Sequence, residues 1–269
     1  MTMIPGIRLP KIMATFAAWL VAGLAIICAT ASAQETRIAA AADLKFALDD
    51  IAVMFRSATG KSIVPVYGSS GNFKTQIIQG APFEMFMSAD EAFVFELADK
   101  GLTLDRGALY GFGRIVLYVP KGSPLQPDAA LEDLAAGLKD GRVQRFAIAN
   151  PEHAPYGRAA QEVLTSKGLW EAIKPKLILG ENVSQATQFA MSGSSQGGII
   201  ALSLALTPTV SASGTHVLIP EDLYTPLAQR MVLLKSAGET AKAFYAFIQT
   251  DAAKAVLRRY GFRLPGEKD

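Results

Sequence analysis

From residue 37 onward, short runs of unbroken apolar character alternate with longer stretches whose apolar residues recur every three or four positions. The first kind marks strands buried on both faces, the second helices with one face turned inward. Residues 37–41 read as a strand. Leu44, Ala47, Leu48, Ile51, Met54 and Phe55 then keep helical spacing, and Asp43 stands where an N-cap belongs. Strands follow at 62–67 and 84–89, and helices at 72–79 and 91–100, the last stopped by Gly101. A strand over 113–120 leaves this unit for a second one. There, helices at 131–138, 156–167 and 184–191 alternate with strands at 145–149, 176–179 and 198–204. Strands at 216–220 and 230–234 and helices over 239–249 and 252–260 close the chain. This order predicts an α/β fold, with mostly parallel sheets flanked by helices. Two passages between the units, near 113–119 and 198–206, predict that the second unit is inserted into the first. The expected lobes are 34–114 with 206–269, and 115–205.

Candidate chemistry lies where strands give way to helices. In Val66-Tyr67-Gly68-Ser69-Ser70-Gly71-Asn72-Phe73, a strand ends in a turn of small residues and a helix begins. The first N–H groups of a helix have no intrahelical partner, and with the positive end of the helix dipole they form an anion site. Ser69 and Ser70 add hydroxyl donors, and the glycines permit close approach. Three more turns share this character: Ala41-Ala42-Asp43-Leu44, the loop from Asn150 to Gly157, which delivers Tyr156 after two prolines, and Gly180-Glu181-Asn182-Val183-Ser184. Each alone reads as scaffold. Four together, two from each unit and all beyond the carboxyl ends of strands, predict an oxyanion cleft.

The amino terminus changes the setting. Arg8 and Lys11 precede an apolar run over 12–27, followed by Ala31-Ser32-Ala33, the small-x-small form of a signal-peptidase site. Cleavage is expected after Ala33, with residues 1–33 a signal peptide and the mature protein exported to the periplasm. Cys28 does not fit lipoprotein processing, because Ile27 before it is too large. Removing 33 of 269 residues takes away the single cysteine and two of the 26 basic residues, leaving 24 basic against 24 acidic. A formally neutral chain argues against a nucleic-acid partner.

Several stretches carry a family resemblance: AADLKFALDDIA, YGSSGNFKTQIIQGAPFEMFMSAD, ANPEHAPYGRAAQEVL and AKAFYAFIQTDAAKAVLRRYGF. Along essentially the whole mature chain they resemble the periplasmic molybdate-binding proteins of ABC importers. The resemblance implies two α/β lobes joined by a two-strand hinge, with a dehydrated tetrahedral oxyanion between them. It implies molybdate or tungstate as ligand, no cofactor, no side chain bound directly to metal, and a permease with its ATPase as partners of a monomeric binding protein. Carried over by position, Asp43 and Ser70 fall at ligand positions of the first lobe. Tyr156 and Val183 fall at ligand positions of the second and offer mainly backbone N–H. Two departures stand out. Many members have a hydroxyl residue where this chain has Asp43, and some have a tyrosine where it has Ala201.

Asp43 is the conspicuous one. A carboxylate about 4 Å from one like charge costs roughly 4 kcal/mol at an effective dielectric of 20, and a dianion about doubles that. Three resolutions are open. The carboxylate can turn back to cap its own helix, which the sequence favours. It can be protonated and donate as a hydroxyl would. Or the ligand can be a protonated oxyanion such as hydrogen phosphate, whose proton Asp43 accepts.

An enzyme is the rival class. Gly193-Ser194-Ser195-Gln196-Gly197 matches the G-x-S-x-G pattern, but that elbow needs a strand before the serine and a helix after it. Here the expected order is reversed. His153 and His216 are the only histidines, and no spacing suggests a bound zinc. A binding protein without catalytic activity is expected.

Overall fold

The apolar run after Arg37 becomes the middle of a sheet. In the computed structural model, which describes residue 2 and residues 35–267, β1 (Arg37–Ala41) runs into a 3₁₀ turn, Ala42–Leu44, and then α1 (Lys45–Thr59). The expected cleavage after Ala33 lies outside the described residues. β2 (Val64–Gly68) leads to α2 (Ser70–Ile78), and β3 (Met85–Ser88) to α3 (Glu91–Asp99). β2 and β3 flank β1 in parallel, as connections through helices require. Next comes β4 (Ala108–Gly113), a strand that its two glycines hide from sequence reading.

One residue, Arg114, separates β4 from β5 (Ile115–Pro120), which opens a second sheet. Its guanidinium donates twice to the Gly261 carbonyl, at 3.0 and 2.9 Å, and so pins this passage to the C-terminal segment. The second unit continues as α4 (Glu132–Asp140), β6 (Phe146–Ala149), α5 (Pro155–Ser166), the short α6 (Trp170–Ile173) and β7 (Leu177–Gly180). It is completed by α7 (Val183–Met191), β8 (Gly198–Ala201), α8 (Leu202–Ala205), α9 (Pro208–Ser213) and β9 (Gly214–Leu218). β10 (Leu227–Leu233) returns to the first sheet, and α10 (Glu239–Ile248) and α11 (Asp251–Arg259) pack on it.

The strand orders are β2-β1-β3-β10-β4 and β7-β6-β8-β5-β9. Both sheets are mixed rather than mostly parallel, because the strands that pass between lobes run against their neighbours. The return passage also lies later than expected. β9 still pairs with β5, so residues 214–218 belong to the second sheet and the chain goes back through 219–226, not near 198–206. The boundary expected at 205/206 misplaced this segment because residues 198–204 read as one strand. Only Gly198–Ala201 is extended; Leu202 turns into a helix.

Phe55 anchors the first lobe. It is fully buried at the end of α1, with Phe244 and Phe247 edge-on at 5.1 and 5.5 Å. Phe55→Ala removes both ring contacts and leaves a cavity, so it should lower unfolding free energy by about 3–5 kcal/mol. Denaturant titration of purified protein measures this; a loss below about 1 kcal/mol would contradict the packing described.

Candidate functional site

Each of the four strand-to-helix turns reaches one small cavity. Ala41, Ala42 and Asp43 form part of its wall, Gly68 to Ser70 another, Ala154 to Tyr156 a third, and Asn182 with Val183 the last. The space is about one water molecule in size, too small for an extended substrate. No lysine or arginine lines it among the described residues. Its donors are neutral. Ser70 Oγ accepts the Ala89 N–H at 3.0 Å, which leaves the hydroxyl proton to be given away. Asn182 caps α7 by accepting the N–H groups of Ser184 and Gln185, so the Val183 N–H before them is left to the cavity. In α5, Pro155 has no N–H, and the Ala154 carbonyl takes those of Gly157 and Arg158, so the Tyr156 N–H is left as well. These are the unpaired first-turn donors that helix geometry supplies.

The lobes touch around this space. Ser69 Oγ and the Gly71 N–H both donate to the His153 carbonyl, and Ser69 also bonds the His153 ring. Ser184 donates to the Ala42 carbonyl at 2.9 Å, and Ser203 to that of Asp43 at 2.8 Å. At the rim, Arg158 bridges Glu162 of its own helix and Asp90 of the other lobe.

Asp43 is buried (1 % exposed), and its side chain does not cap a helix. Instead Oδ2 accepts the Tyr156 hydroxyl at 2.8 Å and the Gln229 amide at 2.7 Å. Gln229 in turn accepts the Tyr110 hydroxyl at 2.7 Å. The four side chains form a hydrogen-bonded core: three from the first lobe and Tyr156 from the second. Oδ1 has no hydrogen-bond partner of normal geometry among the described residues. Burial pushes the carboxyl up to about 6, against smaller opposing effects of Gln229, Tyr156 and the nearby backbone N–H groups. The same burial, with the Asp43 charge, lifts Tyr156 well above the ordinary tyrosine range.

All four expected site residues, Asp43, Ser70, Tyr156 and Val183, therefore line one space. The helix-capping role favoured for Asp43 is not what its side chain does. Sequence reading also missed Gln229, Tyr110 and the His153 clasp. Gln229 had a signal: in Leu227-Ala228-Gln229-Arg230-Met231 it occupies the inward phase of a strand, where a polar residue needs a buried partner. Tyr110 had none, since its strand was not recognised. Ala201 lies fully buried at the end of β8. Ser195 sits after a helix and before a strand, its hydroxyl donating to the Phe189 and Gly197 carbonyls, so the G-x-S-x-G match is no nucleophile elbow.

Residues 36–263 match the family model described as bacterial extracellular solute-binding protein. The chain belongs to this family. It is a family of solute carriers rather than catalysts. Among its relatives, the molybdate-binding protein ModA of Rhodobacter capsulatus is 37% identical over 246 residues, 90% of this chain and 92% of that protein. ModA of Azotobacter vinelandii is 34% identical over 245 residues, 90% and 95% of the two chains. The solved Azotobacter vinelandii periplasmic molybdate-binding protein superposes with a TM-score of 0.76 at 30% identity, over 86% of this chain and all of that one. The fold is thus that of a two-lobed solute-binding protein.

In this solute-binding protein the approach of the lobes is tight at Gly71. A Cβ there would lie 2.5 Å from the His153 carbonyl oxygen. Gly71 is in the first turn of a helix, where alanine is otherwise favourable. Gly71→Ala should leave thermal stability of the open form intact while preventing full approach of the lobes. The expected result is an anion affinity at least tenfold weaker and no compaction by small-angle scattering on adding the anion. Unchanged affinity and normal compaction would show that the Gly71–His153 contact is not part of closure.

Proposed function

We propose that this protein captures molybdate, and tungstate with it, in the periplasm, and hands the anion to a membrane permease driven by an ATPase. The observation that carries the reading is the convergence of neutral, oriented donors from both lobes on one small space: Ser70 Oγ and the first-turn N–H groups beside Tyr156 and Val183. A dianion stripped of water can be held this way. Hydrogen bonds to a charged group contribute roughly 1.5–3 kcal/mol each, and a helix N-terminus about 0.3–1, up to ~2 when partly buried. Similarity to the ModA proteins along nine-tenths of the chain supports molybdate as the anion. Donors fixed at a set spacing select by size, so smaller sulfate would lose contacts that tungstate, nearly isosteric with molybdate, keeps. Because donors come from both lobes, the anion binds the closed form better than the open one and draws them together.

A second reading has one observation in its favour. The unpartnered Asp43 Oδ1 can accept a proton that the ligand brings, as hydrogen phosphate would. Titration calorimetry against molybdate, tungstate, sulfate and phosphate separates the two. Molybdate and tungstate should bind at least a hundredfold more tightly than the others, and Ser70→Ala should weaken molybdate by about 1–3 kcal/mol. Preference for phosphate, reversed in Asp43→Ser, would establish the second reading in place of the first.

A further inference from the structure

The two carboxylate oxygens of Asp43 have unlike surroundings. Oδ2 is saturated by the Tyr156 hydroxyl and the Gln229 amide, and both donors are held in turn: Gln229 Nε2 also reaches the Tyr156 oxygen at 3.0 Å, and Gln229 Oε1 takes the Tyr110 proton. Oδ1 is buried and accepts no hydrogen bond of normal geometry from any described residue, in a residue that forms part of the cavity wall. With Oδ2 committed to these donors, Oδ1 is the oxygen left for a ligand.

Among the described residues no cation pairs with Asp43. Of the elements against the Ala42–Leu44 turn, α1 brings Lys45, which is paired with Asp49 at 3.0 Å, and β2 brings Tyr67, which donates to Asp49 as well. α7 and α8 contain no ionisable residue. On α5, Tyr156 is the donor already described, and Arg158 is engaged by Asp90 and Glu162. Tyr110 on β4 stands one hydrogen bond beyond Gln229. Arg114 at the passage between lobes is bound to the Gly261 carbonyl. His153 faces Ser69 and Glu181.

We propose that anion capture is coupled to proton uptake at Asp43. As a dianion enters and the lobes meet, Oδ1 takes one proton from solvent and donates it to an anion oxygen, while Oδ2 stays the acceptor of Tyr156 and Gln229. The ligand and carboxyl together then carry two negative charges instead of three, and the unpartnered atom becomes a donor in the place where a hydroxyl would serve. The inference rests on the molybdate reading above. Burial acts in the same direction, holding the carboxyl at about 6 even without an anion, and a dianion beside it raises it further.

Linkage between the proton and the anion sets the pH dependence. In the open form Asp43 meets water and titrates as an ordinary carboxyl; in the bound form its pKa is raised. Between these two values binding takes up a proton, so affinity falls as pH rises, by up to tenfold per unit, and it levels off once pH passes the bound-state value. Asp43→Asn mimics the protonated acid, with an amide N–H where Oδ1–H would be, and it does not titrate.

Calorimetry of the mature protein with sodium molybdate at pH 7 and 8, in buffers of different ionisation enthalpy, counts the protons directly. Wild type should take up close to one proton per anion at pH 7, with affinity falling as pH rises. Asp43→Asn should exchange none and show a flat profile, so that it increasingly outbinds wild type at high pH. Asp43→Ser, whose hydroxyl does not titrate, serves if a melting scan shows the asparagine variant to be unfolded. Molybdate binding with no proton exchange, or uptake that persists in both variants, overturns the inference and leaves the molybdate reading intact. Failure of molybdate to bind at either pH overturns both.

Discussion

Where the two lobes meet sits a carboxylate that no cation pairs with among the described residues, held by two neutral side chains with a third behind them. Asp43 receives the Tyr156 hydroxyl from one lobe and the Gln229 amide from the other, with Tyr110 behind. Removing a carboxylate from water costs several kcal/mol even after relaxation, and two hydrogen bonds to Oδ2 offset only part of that. The arrangement is therefore most favourable when something else completes Oδ1. It also ties the site to the inter-lobe geometry, since Tyr156 belongs to the cavity through its backbone and to Asp43 through its ring. Separating the lobes would withdraw the Tyr156 hydroxyl from the carboxylate.

Around this group the cavity relies on dipoles instead of cations. The chains that feed it are short strands ending in small residues, after which α2, α5 and α7 begin with their N-termini toward the same space. Fixed N–H groups impose a spacing on whatever they bind, whereas a lysine would attract any anion within reach. Under the molybdate reading, selectivity by size would follow from a wall that no lysine or arginine lines among the described residues. The polar side chains nearby hold the lobes: Arg158 links Asp90 to Glu162 across the rim, and His153 joins Ser69.

Much of this was legible in the sequence because it depends on local signals. Apolar periodicity located most of the elements, and the turns at Asp43, Ser70, Tyr156 and Val183 were recognisable from small residues, caps and prolines. What could not be read depends on distant pairings. Tyr110 lies on a strand whose two glycines look like loop, and its partner Gln229 is 119 residues away. The direction of the Asp43 side chain was misjudged for the same reason. A local rule favours capping the nearest helix, but a hydroxyl 113 residues distant and an amide 186 residues distant compete for the same oxygen and win. The position of the return passage was lost where Ala201 ends a strand and Leu202 starts a helix without any glycine or proline between them.

Where the anion sits is decisive, and X-ray anomalous scattering locates a molybdenum atom without reference to any fitted donor. Crystals of the mature protein grown with molybdate should give one dominant anomalous peak at the molybdenum edge. It should lie within the cavity walled by Ser70, Tyr156 and Val183, with its oxygens in hydrogen-bond reach of Ser70 Oγ and the Val183 N–H. A dominant peak outside that space, or a cavity without a peak in crystals that hold molybdate elsewhere, would contradict it.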